Sequence, residues 1–171
     1  MADSRTVISN FFASQNAGAT RHKGIEYGLT YRPAADLYLR LSGTNAVHQF
    51  INYVENDINY CGYEMQTAPH FIGNAEIMYK PHFIKGFRIG VEEQKVGKYY
   101  LDNLEKYTYN GYSVTNIRTG YQWGPAEIWL NALNVFNTYY ATRGAKSAYG
   151  CTYSLGDPRT FTLGLAYHFG Q

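Results

Sequence analysis

The chain ends on the stretch RTFTLGLAYHFGQ, residues Arg159 to Gln171. Every second position from Phe161 to Phe169 is large and apolar, and the positions between them are small or polar. A period of two is typical of a β-strand whose two faces meet different surroundings. Because the apolar side persists to within two residues of the last one, the stretch raises the question of what covers that side.

The same alternation returns along the whole chain, and no segment has a convincing helical period of 3.6. We expect an all-β, antiparallel, up-and-down arrangement of about eight strands. The expected strands lie at about Arg5 to Ala13, around Ile25–Tyr31, Leu37–Ser42, Asn74–Tyr79, Phe87–Glu92 and Asn116–Trp123, from Ala126 and at Arg159–Phe169.

Short and long connections alternate between these strands. The short ones carry the Pro and Gly that turns require: Arg32 to Asp36, Lys80 to Gly86, and Gly124 with Pro125. The long ones are rich in Tyr, Asn and Gly: Glu55 to Thr67, Gly97 to Gly111, and Phe136 to Pro158. Short turns at one end and long loops at the other are typical of an outer-membrane β-barrel.

A soluble β-sandwich also has alternating strands, with its polar side in water. Aromatic residues on the apolar side favour the transmembrane barrel, because they gather beside the short turns as an interfacial girdle would. The girdle consists of Tyr31, Tyr79, Phe87, Tyr121, Trp123, Tyr167 and Phe169.

Composition excludes several functions. Of the 171 residues 17% are aromatic and only 16% are charged, and the formal net charge of +2 comes without the basic cluster of a nucleic-acid binder. Cys61 and Cys151 have no metal-ligand spacing. We expect no nucleic acid, no metal and no cofactor, and the N-terminus MADSRTVISN has no signal-peptide pattern.

Several motifs resemble those of TonB-dependent outer-membrane receptors. NALNVFNTYYAT, from Asn131, resembles the penultimate strand of that family and its Asn-Leu-Phe-Asn type turn. LGDPRTFTLGLAYHF, from Leu155, resembles the closing motif, although Phe169 is followed here by Gly170 and Gln171. KGIEYGLTYRP and APHFIGNAEIMYKP resemble two earlier strands. The matching positions of the turn are Asn134, Phe136, Asn137 and Tyr140.

The resemblance implies that residues 1–171 are the C-terminal part of a 22-stranded barrel, without its plug and N-terminal strands. It implies the cell outer membrane, with short turns in the periplasm and long loops outside. The implied function is TonB-energised uptake of a scarce nutrient, above all a ferric siderophore. The implied partners are membrane lipid, a ferric chelate or similar small ligand, the TonB complex through the plug, and the outer-membrane assembly machinery, which would read Phe169.

Charged residues on the polar side of the strands would face the lumen of such a barrel. They either pair with one another as wall charges or dock the plug and line a path for substrate; the first interpretation is preferred for any single residue, because ion pairs in contact with water contribute little. These residues are Glu26, Arg40, Glu76, Arg88, Glu92 and Arg118.

Tyrosines and cations of the long loops are the candidate substrate-binding surface. Arg and Lys attract an anionic chelate and Tyr offers stacking area, but the same tyrosines can simply pack loop against loop. The candidates are Tyr107, Tyr109, Tyr112, Tyr139, Tyr140, Arg143, Lys146, Tyr149 and Tyr153. Cys61 and Cys151 fall in such loops, and a disulfide between them is not the preferred expectation.

Two other functions stay open. A complete small barrel with a structural or adhesion role fits the chain length. An outer-membrane enzyme is less favoured and we expect none, because only His48 and His70 are placed near the outer rim and no G-x-S-x-G motif occurs. As part of a larger barrel, the isolated chain is expected to form an open sheet whose first and last strands do not pair.

Overall fold

The computed structural model describes residues 7–10, 13–16 and 18–169. Among them no helix is long and apolar enough to cross a membrane. The strands, in chain order, are β1 Val7–Asn10, β2 Ala13–Asn16, β3 Thr20–Ala34, β4 Leu37–Phe50, β5 Val54–Glu55, β6 Ile58–Asn59, β7 Phe71–Tyr79, β8 Phe87–Val96, β9 Tyr99–Tyr100, β10 Thr108–Tyr109, β11 Tyr112–Trp123, β12 Ala126–Leu133, β13 Ala141–Ser147, β14 Gly150–Leu155 and β15 Thr160–Tyr167.

Seven long strands form one antiparallel sheet in the order β15-β12-β11-β8-β7-β4-β3. Each strand pairs with its neighbour along the chain, apart from the small hairpins that the long loops insert, so the expected up-and-down meander is confirmed. Among the residues that the structure describes, no strand pairs with the outer edge of β3 or of β15. The sheet is therefore open, as expected.

The register keeps most of the apolar residues of the seven strands on one face. A single row of directly paired positions crosses the sheet from β3 to β15. Its members are Tyr31, Leu39, Ile77, Val91, Ile117, Ala132 and Phe161. We call this side the apolar face and the opposite one the polar face. Because successive side chains of a strand alternate between the two faces, this one row fixes the face of every other residue in the seven strands. A slip of one residue in the register would move all side chains of a strand to the opposite face.

The aromatic girdle runs obliquely across the apolar face. It begins at Tyr31 on β3, whereas on β15 it lies at Tyr167 and Phe169, six and eight residues beyond Phe161 of the same row. At about 3.4 Å per residue this is a shift of about 20–27 Å over a sheet width of about 29 Å. A horizontal girdle therefore requires strands tilted by about 35–43°, within the range of membrane barrels.

The expected first strand, from about Arg5 to Ala13, is wrong where the structure describes it. Val7–Asn10 pairs with Ala13–Asn16 in a separate two-stranded hairpin, so Ala13 begins a second strand instead of ending the first. Residues 1–6, 11 and 12 lie outside the described part of the chain. A local hairpin pairs two segments that are adjacent in the chain, so it forms at a small loop-closure cost.

The connections sort by length between the two ends of the sheet, as expected. Short turns join β3 to β4, β7 to β8 and β11 to β12. At the other end lie three long connections: the first loop, residues 51–70; the second loop, residues 97–111; and the third loop, residues 134–159. Each contains its own two-stranded hairpin, formed by β5 with β6, β9 with β10, and β13 with β14.

We expect the isolated 171-residue chain to fail as a soluble monomer. Its apolar face exposes Ile25, Leu29, Leu163 and Leu165, each at least 60% accessible, beside two unpaired strand edges. Size-exclusion chromatography with light scattering, with and without detergent, measures this directly. A monodisperse monomer in plain buffer would contradict the membrane assignment of the apolar face.

Candidate functional site

The first and second loops are packed together over the end of the sheet. Phe50, at the end of β4, stacks on Tyr53 at 4.8 Å between ring centroids, and Tyr53 stacks on Tyr60 at 5.3 Å. Met65 of the first loop and Leu104 of the second pack against this cluster. The sequence analysis did not predict this aromatic cluster, although the density of Phe and Tyr between residues 50 and 63 indicates it.

Backbone hydrogen bonds reinforce the contact between these two loops. The N–H of Glu64 donates to Oε1 of Glu105 at 2.7 Å, and the N–H of Thr67 donates to the carbonyl of Tyr100 at 2.8 Å. The N–H of Gln66 donates to Oδ1 of Asn103 at 3.2 Å. The first loop is thus tied to the second along several successive residues.

The second and third loops are joined in the same way. The N–H of Lys146 donates to the carbonyl of Leu101 at 2.7 Å, and Leu101 is only 1% exposed. A Cβ on Gly144 would lie 2.8 Å from Cδ2 of Leu101, so glycine at this position lets β13 approach the leucine. The N–H of Ala141 donates to the hydroxyl of Tyr109 at 2.8 Å. The three loops therefore form one continuous layer.

Most of the candidate substrate-binding tyrosines take part in this packing. Tyr112 lies 4.5 Å from Tyr140 between ring centroids, and Tyr109 lies 6.0 Å from Tyr153. The ammonium group of Lys146 lies 5.2 Å from the centre of the Tyr107 ring, a cation–π contact.

The remaining candidates, Tyr139, Arg143 and Tyr149, are exposed on the third loop. Tyr139 and Tyr149 are 86% and 102% exposed, whereas Tyr107 and Tyr153 are about half exposed beside their contacts in the layer.

Burial keeps the tyrosines inside the layer neutral. Burial raises the pKa of the Tyr53 hydroxyl well above its ordinary value, and the nearby Glu55 raises it further. Burial likewise raises the pKa of Tyr60. These phenols therefore stay protonated and available as hydrogen-bond donors at any physiological pH.

Asn134 lies at the base of the third loop, where the loop leaves β12. We call this base, formed around Asn134 and Asn137, the neck. It is 2% exposed and adopts φ +49°, a left-handed conformation that Asn tolerates better than most residues. Its side-chain amide donates to the carbonyls of Thr138 at 2.9 Å and Asp157 at 3.0 Å, and its Oδ1 accepts from the N–H of Thr138 at 2.8 Å. Its own N–H donates to Oδ1 of Asn116 at 3.0 Å. One side chain thus ties the start of the loop to its end.

Asn137 completes the neck with the same chemistry. It adopts φ +53°, and its Oδ1 accepts from the N–H of Arg159, just before β15, at 3.0 Å. Tyr140 covers Gly156 on the return of the loop. By contrast, the side chain of Phe136 is largely exposed. Three of the four matching positions of the sequence motif therefore have a structural role in closing the loop.

The charges of the polar face form a network across the strands. Glu92 accepts hydrogen bonds from Arg118 at 2.5 Å, from Asn74 at 2.5 Å and from Asn116 at 3.3 Å. Glu76, directly opposite Glu92 on the neighbouring strand, forms an ion pair of 3.7 Å with Arg40. The two carboxylates are thus each matched by a cation, which supports the interpretation as paired wall charges.

Arg88 reaches past its neighbouring strand to find its partner. It lies on β8 and forms an ion pair with Glu127 on β12, passing over Gly120 of β11. A Cβ at Gly120 would lie 2.7 Å from Cζ of Arg88, so only glycine leaves the guanidinium this path. The sequence analysis did not include Glu127 among the lumen-facing charges, although its position in β12 places it on the polar face. Glu26 has no ion pair within the described ranges.

A corner of the polar face next to the first loop gathers three histidines. Nδ1 of His22 and Nδ1 of His48 are 2.7 Å apart, and His70 pairs with Glu64. The expectation that only His48 and His70 lie near this rim is wrong, because the β3–β4 register places His22 directly opposite His48. Within residues 18–169 no group of three or more His, Cys, Asp or Glu side chains is arranged to hold a metal ion.

The two cysteines are free and exposed. The thiol of Cys61 donates to the carbonyl of Ile51 within its own loop, at 2.9 Å, and Cys151 lies on β14 of the third loop. The structure thus agrees with the expectation that they are not bonded to each other.

Comparison with known proteins gives a family match. The family model described as TonB dependent receptor-like, beta-barrel, matches residues 2–138. This range includes β3 to β12 and the neck residues Asn134 and Asn137.

Solved structures of similar fold cover nearly the whole chain. The ferric yersiniabactin uptake receptor FyuA of Yersinia pestis is 18% identical with a TM-score of 0.78, over 92% of this chain and 25% of its own. The siderophore receptor PiuA of Acinetobacter baumannii is 16% identical with a TM-score of 0.75, over 94% and 24%. The ferric citrate transporter FecA, in its unliganded form, is 17% identical with a TM-score of 0.72, over 96% and 26%.

The chain therefore spans about a quarter of the length of these structures. At this level of identity the likeness establishes the fold alone.

We expect Asn134→Ala to destabilise the full-length protein by about 2–4 kcal/mol, because the change removes hydrogen bonds to the part-buried backbone groups of Thr138 and Asp157 and puts Ala in a left-handed conformation. Urea unfolding followed by tryptophan fluorescence gives the free energy of unfolding. Asn134→Gly separates the two causes, since glycine keeps the backbone conformation. Asn110→Ala, at an exposed loop position, is the control, and equal midpoints for both alanine variants would contradict the role of the neck.

Proposed function

The chain belongs to the family of TonB-dependent receptor-like β-barrels, and we propose that residues 1–171 form the C-terminal part of the barrel of an outer-membrane receptor. The observation that carries this proposal is the combination of one apolar face, an oblique aromatic girdle and a layer of loops at one end only. The free edges of β3 and β15 favour this proposal over a complete small barrel, because both edges would find strands in the rest of a larger one.

In this proposal the apolar face contacts membrane lipid and the polar face lines the lumen. The girdle lies at the periplasmic interface, where aromatic rings are most stable between hydrocarbon and headgroups. The short turns are then periplasmic and the layer of long loops is extracellular. An open sheet of this kind is viable in a bilayer only when the missing strands complete the hydrogen bonding of its edges.

The proposed activity of the whole receptor is TonB-energised uptake of a scarce nutrient, with a ferric siderophore as the favoured ligand. Two of the three similar structures are receptors for siderophores or their iron complexes, and the third is a ferric citrate transporter. Exposed Arg143 with Tyr139 and Tyr149 supports the same class, since iron chelates of this kind are anionic and offer surfaces for stacking. We propose a receptor role and no catalytic one.

The other proposed partners act through parts of the molecule that this chain does not contain, or on its last strand. The TonB complex would contact a plug inside the barrel, and the paired charges of the polar face would form the wall against which the plug sits. The assembly machinery of the outer membrane would read the end of β15, where Tyr167 and Phe169 lie 4.7 Å apart between ring centroids.

We expect Arg143→Ala in the full-length receptor to weaken binding of an anionic ferric chelate roughly tenfold, because one charged contact is removed from an exposed loop. Lys146→Ala should lower affinity too, and it should also loosen the second loop through loss of the contact with Tyr107. Binding to whole cells with radioactive iron measures affinity. Lys85→Ala, in a short turn at the opposite end, is the control. An unchanged affinity for Arg143→Ala would remove this residue from the ligand surface.

We expect Phe169→Ser to lower the amount of receptor in the outer membrane and leave its binding per molecule unchanged. Phe169 is 89% exposed on the apolar side, so the change removes a recognition residue and no internal packing beyond the contact with Tyr167. Quantitative immunoblots of outer-membrane fractions, normalised to chelate binding, separate the two quantities. Phe83→Ser, an exposed aromatic of a short turn, is the control. Normal abundance of Phe169→Ser would show that Gly170 and Gln171 have displaced the signal.

A further inference from the structure

A hollow of about 500 Å³ opens on the polar face, between the charges around Glu92 and the loop layer. The register brings its polar residues together, because Glu26 is paired with Thr44, and Ser42, Asn74 and Gln94 form one row. A volume of this size is within the range of sites for small molecules, about 300–1,000 Å³. The polar side chains that line the hollow from this face are those of Glu26, Ser42, Thr44, Asn74, Gln94 and Tyr112.

Glu92 determines which atoms of two lining amides stay free. The Nδ2 of Asn74 donates to Oε1 of Glu92 at 2.5 Å, and the Nε2 of Gln94 donates to the same oxygen at 3.3 Å. Each amide is thus held through its nitrogen, and its carbonyl oxygen remains as an acceptor. Neither Oδ1 of Asn74 nor Oε1 of Gln94 has a hydrogen-bond partner among residues 18–169.

Three further residues of the hollow have side chains without a partner in the described part of the chain. Ser42 and Thr44 form no side-chain hydrogen bond there, and the carboxylate of Glu26 has neither an ion pair nor a hydrogen bond. Lys95 also borders the hollow, but its side chain belongs to the apolar face, because it follows Gln94 on β8. The described strands therefore give the hollow several acceptors, one negative charge and no cation.

The carboxylate of Glu26 is an exception on the polar face. The other strand carboxylates of this face, within residues 18–169, are each paired with an arginine of the same sheet. A carboxylate surrounded by neutral acceptors is best matched by a group that carries a positive charge and only donates hydrogen bonds. Guanidinium and ammonium groups have these properties, with five and three N–H donors.

Tyr112 adds an aromatic ring to the hollow on the side of the loop layer. It lines the hollow from β11, and its ring lies 4.5 Å from that of Tyr140 in the third loop, between centroids. The face of a tyrosine ring attracts cations. A cationic ligand in the hollow would therefore contact a side chain that also packs against the loops.

We propose that this hollow binds the cationic part of the transported nutrient, a guanidinium or primary ammonium group. The group pairs with Glu26 and donates hydrogen bonds to the oxygens of Ser42, Thr44, Asn74 and Gln94. The inference rests on the proposed receptor function and narrows its substrate class. The nutrient carries an amine or guanidine in addition to the anionic groups that would meet the extracellular loops.

The test uses the full-length receptor purified in detergent and titrated in a calorimeter with agmatine, which has one guanidinium and one ammonium group. Neutral 1-pentanol and the anion pentanoate are the comparison probes. We expect agmatine alone to bind, and Glu26→Gln to weaken its binding roughly tenfold or more, because an amide of the same shape lacks the charge. Glu26→Asp should keep most of the affinity. Asp57→Asn, at an exposed position of the first loop, is the matched control.

Several results would overturn the proposal. Absence of agmatine binding at millimolar concentration, or equal binding of agmatine and 1-pentanol, would exclude a cation site. Equal affinity of Glu26→Gln and Asp57→Asn would place the bound cation elsewhere. Unchanged agmatine binding by Glu26→Gln together with a higher ion conductance in planar bilayers would assign the hollow to a cationic side chain of the plug.

Ferric-chelate binding to the same proteins is measured in parallel. Agmatine binding that depends on Glu26, in a receptor that binds no ferric chelate, would support the cation site and count against the proposed function alone. Chelate binding without agmatine binding would count against the cation site alone.

Discussion

Backbone hydrogen bonding between neighbouring strands is the constraint on which the rest of this structure depends. The unbroken register from β3 to β15 fixes which side chains share a face, and therefore separates the apolar row through Ile77 and Val91 from the charges around Glu92. A bilayer makes the constraint severe, since it offers no water to an unpaired N–H or C=O group. Among the described residues the outer edges of β3 and β15 have no strand partner, and in the larger barrel that we propose they would be the places where this sheet depends on further strands.

The faces, the order of the strands and the sorting of loops by length were predictable from the sequence, because a period of two is a local property and the short turns carry Pro and Gly. The N-terminal segment was not. Whether Val7–Asn10 joins the sheet or folds back on Ala13–Asn16 depends on a competition between edge pairing and local pairing, and alternation alone does not decide it.

The loops show a second limit of sequence reasoning. Tyrosine content marked the loops as a surface of interest, but it could not tell exposed Tyr149 from Tyr109. Tyr109 lies against Tyr153, and its hydroxyl oxygen accepts a hydrogen bond from the N–H of Ala141 inside the layer. Contacts between residues more than 40 positions apart, such as Glu64 with Glu105, have no signature in either segment. The pair Arg88–Glu127 is similar, since it becomes visible only once Gly120 is known to lie between the two.

The interlocked loop layer has a consequence for how the loops can be exchanged. Leu101 is covered by the third loop and Leu104 packs on the first, so the second loop is shaped by both of its neighbours. A single loop exchanged with that of a relative would arrive without its matching surfaces. We therefore expect the three loops to keep their shape only when they are exchanged together as a set.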